Sequence, residues 1–192
     1  MSRPTKEEIL TALEAAAETA FGGGLLAGHL RLGRRQATAR VMVTFGQIGK
    51  RFGFLVGAKR CLDAAFPEWE ADYPEWLYDM TWTEMKGDWL LSMPVAIESE
   101  WKYHYAIVDQ HRVDHDFQKL VQARADVRVW VSSAPNEEIA RKHVEACQQQ
   151  ACMYAGAQAG DTYLFVVNVW SAGSTSIQRF EVEADRPSRT PA

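Results

Sequence analysis

The sequence predicts an α/β fold, a mixed β-sheet flanked by helices, and three observations carry that expectation. Helical and strand periodicities alternate in the order helix, helix, strand, strand, strand, helix, strand, helix, strand, strand, which calls for helices covering the faces of a sheet. Two aromatic-rich segments, "EWLYDMTW" and "VAIESEWK", flank a turn at Gly87 as the arms of a hairpin. A chain of 192 residues with 47% hydrophobic and 24% charged side chains has the composition of a globular protein with one substantial core.

Residues 5 to 20 open with Thr5 and, three residues on, Glu8, the pairing of a capping box, and continue in good helix formers until "FGGG" at 21 to 24. From Arg34 to Phe52 the residues Val41, Phe45, Ile48 and Phe52 recur at three- and four-residue spacing, one apolar stripe of a second helix that Gly53 stops. "FLVGA" at 54 to 58 is a short strand, and residues 61 to 75, with two prolines and several acids, read as a loop. The hairpin follows, with Asp79 on its first arm and "TEMKGDW" as its turn. A helix from Asp114 to Ala125 presents Phe117, Leu120 and Val121 to the core, and "VRVWV" at 127 to 131 is the next strand. A long helix lies within residues 135 to 156, with Glu137 and Glu138 near the positive end of its dipole. "TYLFVVNVW" and "IQRFEVEA" close the chain as strands, and "DRPSRTPA" reads as a frayed tail.

The start of the chain lacks the apolar core of a signal peptide, and no run reaches the 18 or more apolar residues of a membrane span. A cytoplasmic protein with no membrane partner is expected. Three cysteines, Cys61, Cys147 and Cys152, contain no C-x-x-C pair, which argues against a disulfide framework and a thiolate zinc cage. The net charge of -4 does not suggest a nucleic-acid binder, but its distribution is uneven. Residues 21 to 60 hold no acid and eight bases, Arg31, Arg34, Arg35, Arg40, Lys50, Arg51, Lys59 and Arg60; residues 61 to 100 hold ten acids and one lysine. A phosphodiester substrate needs both surfaces, bases to hold phosphates and carboxylates to hold a divalent cation, although a chance surface distribution gives the same tally.

The stretch "VAIESEWK" at 95 to 102 poses the functional question. Val95, Ile97 and Trp101 mark one face of a strand, whereas Glu98, Glu100 and Lys102 follow Ala96 on the other, the carboxylates about 7 Å apart. A solvated face of an antiparallel sheet has this pattern, and so has the wall of a site. Like charges so placed repel unless a cation neutralises them, and Asp79 interrupts an otherwise apolar neighbouring arm, where a carboxylate is costly unless solvated or paired. A hard cation such as Mg²⁺ takes one or two carboxylates and completes its shell with water and phosphate oxygens. A lysine beside it would orient the attacking water or stabilise charge growing on phosphorus-bound oxygens.

Asp79 on one strand, Glu98 and Glu100 nineteen and twenty-one residues on, and Lys102 two beyond resemble the PD-(D/E)XK nuclease superfamily, the restriction-endonuclease-like phosphodiesterases. That family's core is helix, three strands, helix, strand (αβββαβ), and the elements expected over residues 34 to 132 follow this order. "GKRFGF", "EWLYDMTW", "AIESEW" and "DFQKLVQARADVRVWV" are similar to an uncharacterised bacterial group within it. The resemblance implies a nuclease-like core at 34–132 in a single domain, extended by an N-terminal helix and loop (1–33) and a C-terminal helix and strands (133–184), with a flexible tail at 185–192. It implies Mg²⁺ or Mn²⁺ as cofactor, Asp79 as a metal ligand and Glu100 with Lys102 as the E-x-K element. Glu98 with Glu100 equally satisfies the E-x-E variant, and members that supply the lysine from the following helix nominate Lys119. Lys119 lies about 200° around a helix from Phe117, which would turn it away from the core.

Other features have plainer readings. His111 and His115 stand four apart without the glutamate of a zincin motif, as a polar connection would. Trp69, Trp76, Trp82 and Trp89 could stack on bases, but core and cross-strand packing accounts for most such residues. "GHLRLGRR" is a solvated basic loop or a phosphate-tracking one. "FGGGLLAG" lacks the spacing and the Lys-Ser/Thr ending of a P-loop. The leading expectation is a Mg²⁺-dependent nuclease-like protein hydrolysing phosphodiester bonds in DNA, with Arg31, Arg34, Arg35, Lys50 and Arg51 on nucleic acid. The alternative is a catalytically inactive nuclease-fold module that binds nucleic acid or protein. No feature specifies an oligomeric state, and a homo-oligomer is compatible with the chain.

Overall fold

A computed structural model describes residues 3–21, 34–59, 69–101, 115–169 and 171–184. Its elements are α1 (Lys6–Phe21), α2 (Arg34–Arg51), β1 (Leu55–Ala58), β2 (Tyr73–Pro74), β3 (Met80–Lys86), β4 (Trp89–Glu100), α3 (His115–Val121), β5 (Val127–Ala134), α4 (Glu137–Met153), β6 (Thr162–Val169) and β7 (Ser174–Glu181). The strands form one mixed seven-stranded sheet in the order β2-β1-β3-β4-β5-β6-β7. β1, β3 and β4 are successively antiparallel, β4, β5 and β6 run parallel, and β7 returns antiparallel on β6. Helices α3 and α4 supply the crossovers that parallel neighbours require.

Capping and punctuation act as the sequence suggests. The Thr5 backbone N–H and hydroxyl both donate to Glu8, at 2.7 and 2.9 Å, and the Glu8 N–H donates back to the Thr5 hydroxyl, closing the box at the start of α1. Gly53, at φ 83°, takes the left-handed conformation that ends α2. Asn136 caps α4 by accepting from the Ile139 N–H at 2.9 Å.

Helices cover both faces of the sheet. On one, Ile9 and Leu13 of α1 and Val41, Phe45 and Ile48 of α2 pack on Val56, Met80, Trp82, Val95, Ile97 and Val129. On the other, Phe117, Leu120 and Val121 of α3 and Ala140, Val144 and Cys147 of α4 pack on Ala96, Trp130, Tyr163 and Phe165. Successive residues of β5 and β6 therefore enter opposite cores, and neither strand has an exposed residue.

Several boundaries differ from expectation. "EWLYDMTW" is not a strand throughout: β3 begins at Met80, so Asp79 immediately precedes it, and "TEMK" is strand rather than turn. The loop expected at 61 to 75 includes the two-residue β2, too short and too proline-rich to show a period. Helix α3 stops at Val121, four residues early. Glu98 is not on a wet face, because α3 covers that side of β4 and leaves it only 2% exposed. Arg31, Cys61, Lys102, His111, residues 22 to 24 and the terminal tail lie outside the described residues, as do the side chains of Phe21, Arg34 and Arg35.

Candidate functional site

The register of the β3–β4 hairpin builds the site. Met80 pairs with Ile97 and Thr81 with Ala96, so continuing the ladder by one step sets Asp79 against Glu98. Directly opposed residues of an antiparallel pair hold their Cβ atoms about 5 Å apart on one face. The Lys59 N–H donates to the Asp79 carbonyl at 2.9 Å, extending the β1–β3 pairing to this point.

The Asp79 carboxylate is fixed by its neighbours. Its Oδ2 accepts from the Ser99 N–H at 3.0 Å and from the Ser99 hydroxyl at 2.9 Å. Its Oδ1 stands 3.5 Å from the ammonium of Lys59, which is half exposed. The Glu98 carboxylate meets the ammonium of Lys119 at 2.7 Å, and Lys119 also contacts Asp116 at 3.1 Å and donates to the Leu77 carbonyl at 3.4 Å. Among the described residues Lys119 is the one group that meets the buried Glu98 Oε1.

Burial pushes the Glu98 carboxyl from 4.5 up to about 8; the contact with Lys119 opposes that rise and the charge of Asp79 adds to it. The Lys119 ammonium is pulled down by burial, but Glu98 and Asp116 outweigh that effect and its pKa is raised. Buried Tyr78, between Leu77 and Asp79, is raised by desolvation and then by the Glu98 charge. Leu77 has φ 90°, the one non-glycine residue with positive φ among the described residues. Such backbone costs on the order of 1–3 kcal/mol and persists where the surroundings hold it.

The structure therefore brings together Asp79, Glu98 and Lys119. Lys119 does not turn away as the helical-wheel argument expects: α3 has only seven residues and lies against the end of β4, so the four-carbon stem of a lysine on its flank reaches a carboxylate beneath it. Glu100 follows Glu98 at the end of β4, opposite Ser132 of β5, and is partly exposed. Lys50 and Arg51 end α2, which packs on the opposite face of the sheet, and Lys50 is engaged by Asp72 at 3.2 Å and the Glu70 carbonyl. His115 is exposed and contacts Gln118.

Lys59, Ser99 and Asp116 complete the cluster and escape the sequence reading. Asp116 left a signal, standing three residues before Lys119 on one helix, whereas Ser99 gave none beyond its position between two glutamates. Among the described residues no three His, Cys, Asp or Glu side chains group closely enough to hold a metal, so a cation here would rest on two carboxylates. Searches against protein-family models, curated proteins and solved structures give no match to the chain. No described helix is long and apolar enough to cross a membrane.

Proposed function

We propose that the Asp79–Glu98–Lys119 cluster hydrolyses phosphodiester bonds in DNA with Mg²⁺ or Mn²⁺ held by Asp79 and Glu98, on a restriction-endonuclease-like core. The observation that carries this reading is the placement of Asp79 one ladder step beyond the Met80–Ile97 pair, held by Ser99 next to buried Glu98, with an ammonium 2.7 Å from the Glu98 carboxylate. Residues 34 to 134 run helix, four strands, helix, strand, which is the order the resemblance implies with the two-residue β2 inserted between β1 and β3. The donor chemistry fits a hard cation, since two carboxylates suffice when water and phosphate oxygens complete the shell, and buried Glu98 Oε1 meets only the ammonium of Lys119 among the described residues.

The ion would supply an activated water and neutralise charge on the phosphate. Ser99 holds one oxygen of Asp79 and so orients the other. Lys119, anchored by Asp116, offers positive charge to the non-bridging oxygens as charge accumulates on them. Tyr78 and the α3 side chains keep bulk water from Glu98.

The direct test is cleavage of plasmid and single-stranded DNA by purified protein with Mg²⁺ or Mn²⁺. Cleavage is expected, with Lys119→Met slower by about 10²–10³-fold and Asp79→Asn and Glu98→Gln inactive. Activity persisting in both carboxylate variants would sink the proposed site. A second reading, an inactive module of the same fold, draws on the two lysines that already face these carboxylates, Lys59 on Asp79 and Lys119 on Glu98. Salt-sensitive DNA binding without cleavage would select it.

A further inference from the structure

The four candidate stacking tryptophans, Trp69, Trp76, Trp82 and Trp89, differ in exposure. Trp82 is buried in the core, and Trp69 packs against Gly46 of α2. Trp76 and Trp89 are 58% and 78% exposed. Trp89 begins β4 beside the hairpin turn, about seven strand residues from Asp79, or roughly 23 Å at 3.3 Å per residue. Trp76 lies three residues before Asp79, in the segment that carries the strained backbone.

That segment is held outward. Leu77, 65% exposed, adopts φ 90°, and its carbonyl accepts from Lys119. On one side of it Tyr78 is buried beneath α3, and on the other Trp76 projects into solvent. The lysine that contacts Glu98 thus also holds the residue that follows Trp76 in the chain. An exposed aromatic three residues from Asp79 supplies the stacking platform of a single-strand site.

We infer that Trp76, with Leu77 beside it, stacks on an unpaired nucleobase of the strand that enters the Asp79–Glu98 site, so the substrate is single-stranded or locally opened nucleic acid rather than intact duplex. This inference rests on the phosphodiesterase reading for its substrate class. An intact duplex keeps its base faces stacked, and a platform that needs one would have to open the helix first.

The test measures binding, which stands apart from cleavage. Fluorescence anisotropy in EDTA compares a labelled thymidine 20-mer with its duplex, for the wild-type protein and for Trp76→Ala, Trp76→Phe and Trp89→Ala. Wild type is expected to favour the single strand. Trp76→Ala should weaken single-strand binding by about 5- to 150-fold, the loss of one stacked base, while Trp76→Phe keeps most of it and Trp89→Ala binds as wild type. The inference fails if wild type does not bind the single strand, if Trp76→Ala binds it unchanged, or if Trp89→Ala is equally impaired, the last marking general stickiness of exposed indoles. A Trp76-dependent single-strand preference with no cleavage in Mg²⁺ would retire the hydrolytic reading and leave the stacking site standing.

Discussion

Replacing Glu98 by glutamine should make the protein more stable at high pH, because a buried carboxyl is easier to accommodate neutral than ionised. Its folded-state value of about 8 lies above the ordinary 4.5, so the folded protein holds a proton that the unfolded chain releases. This contribution is fully present below about pH 4.5 and is lost as pH rises through about 8. The shift spans about three and a half pH units at about 1.4 kcal/mol each, on the order of 5 kcal/mol at most. The slope in that window should approach about 1.4 kcal/mol per unit. Glutamine keeps the shape of the neutral acid and cannot titrate. Urea unfolding followed by circular dichroism at half-unit steps from pH 5 to 9, plotted as wild type minus Glu98→Gln, isolates this residue from every other titrating group. The difference should move against the wild type as pH rises and level off above about 8. A flat difference, or one that favours the wild type with rising pH, would refute the argument from burial and mean that Lys119 holds Glu98 ionised throughout.

Two further variants probe the scaffold. Ser99→Ala removes the hydroxyl bonded to Asp79 Oδ2 while leaving the backbone donor, so it should cost about 1–3 kcal/mol of unfolding free energy in urea and raise the Mg²⁺ concentration needed for half-maximal cleavage. Unchanged stability and metal response would show that the backbone N–H alone orients Asp79. Gly57→Ala places a methyl 2.0 Å from the Tyr73 ring, whose hydroxyl bridges Thr81 and Thr83, and should cost about 1–3 kcal/mol by thermal unfolding; a wild-type midpoint would mean that the ring moves aside freely.

Local grammar made much of the architecture legible. The Thr5–Glu8 box, the Val41–Phe45–Ile48 stripe ended by Gly53 and the acids opening α4 each rest on interactions within a few residues, and each element forms where they indicate. Glu98 was not legible in the same way. Period-two alternation assigns it to the face of Ala96, but that face is dry because Phe117 and Leu120 of α3 cover it. A solvated face and a second core give β4 the same pattern until the crossovers are known. Lys119 misled for a related reason, since helical angle says which way a side chain leaves the axis and not what stands within reach of a long stem at the sheet's end. Asp79 and Glu98 as partners could be seen from the hairpin, whereas Ser99 acts partly through its backbone N–H, which no residue type announces.

The sheet face that carries the site changes character across the hairpin. Helices α3 and α4 roof it over β4, β5 and β6, but over β1 and β3 the described residues supply Tyr73, lying across Gly57 with its hydroxyl on Thr81 and Thr83. Asp79 and Glu98 straddle that shoreline, one with 13% of its side chain still exposed and the other submerged. A ligand arriving over the Tyr73 side meets Asp79 first and must then draw a buried carboxyl and its lysine into contact. Access to this cluster is thereby directional, with an outer carboxylate that greets solvent and an inner one that answers only to what has already lost its water.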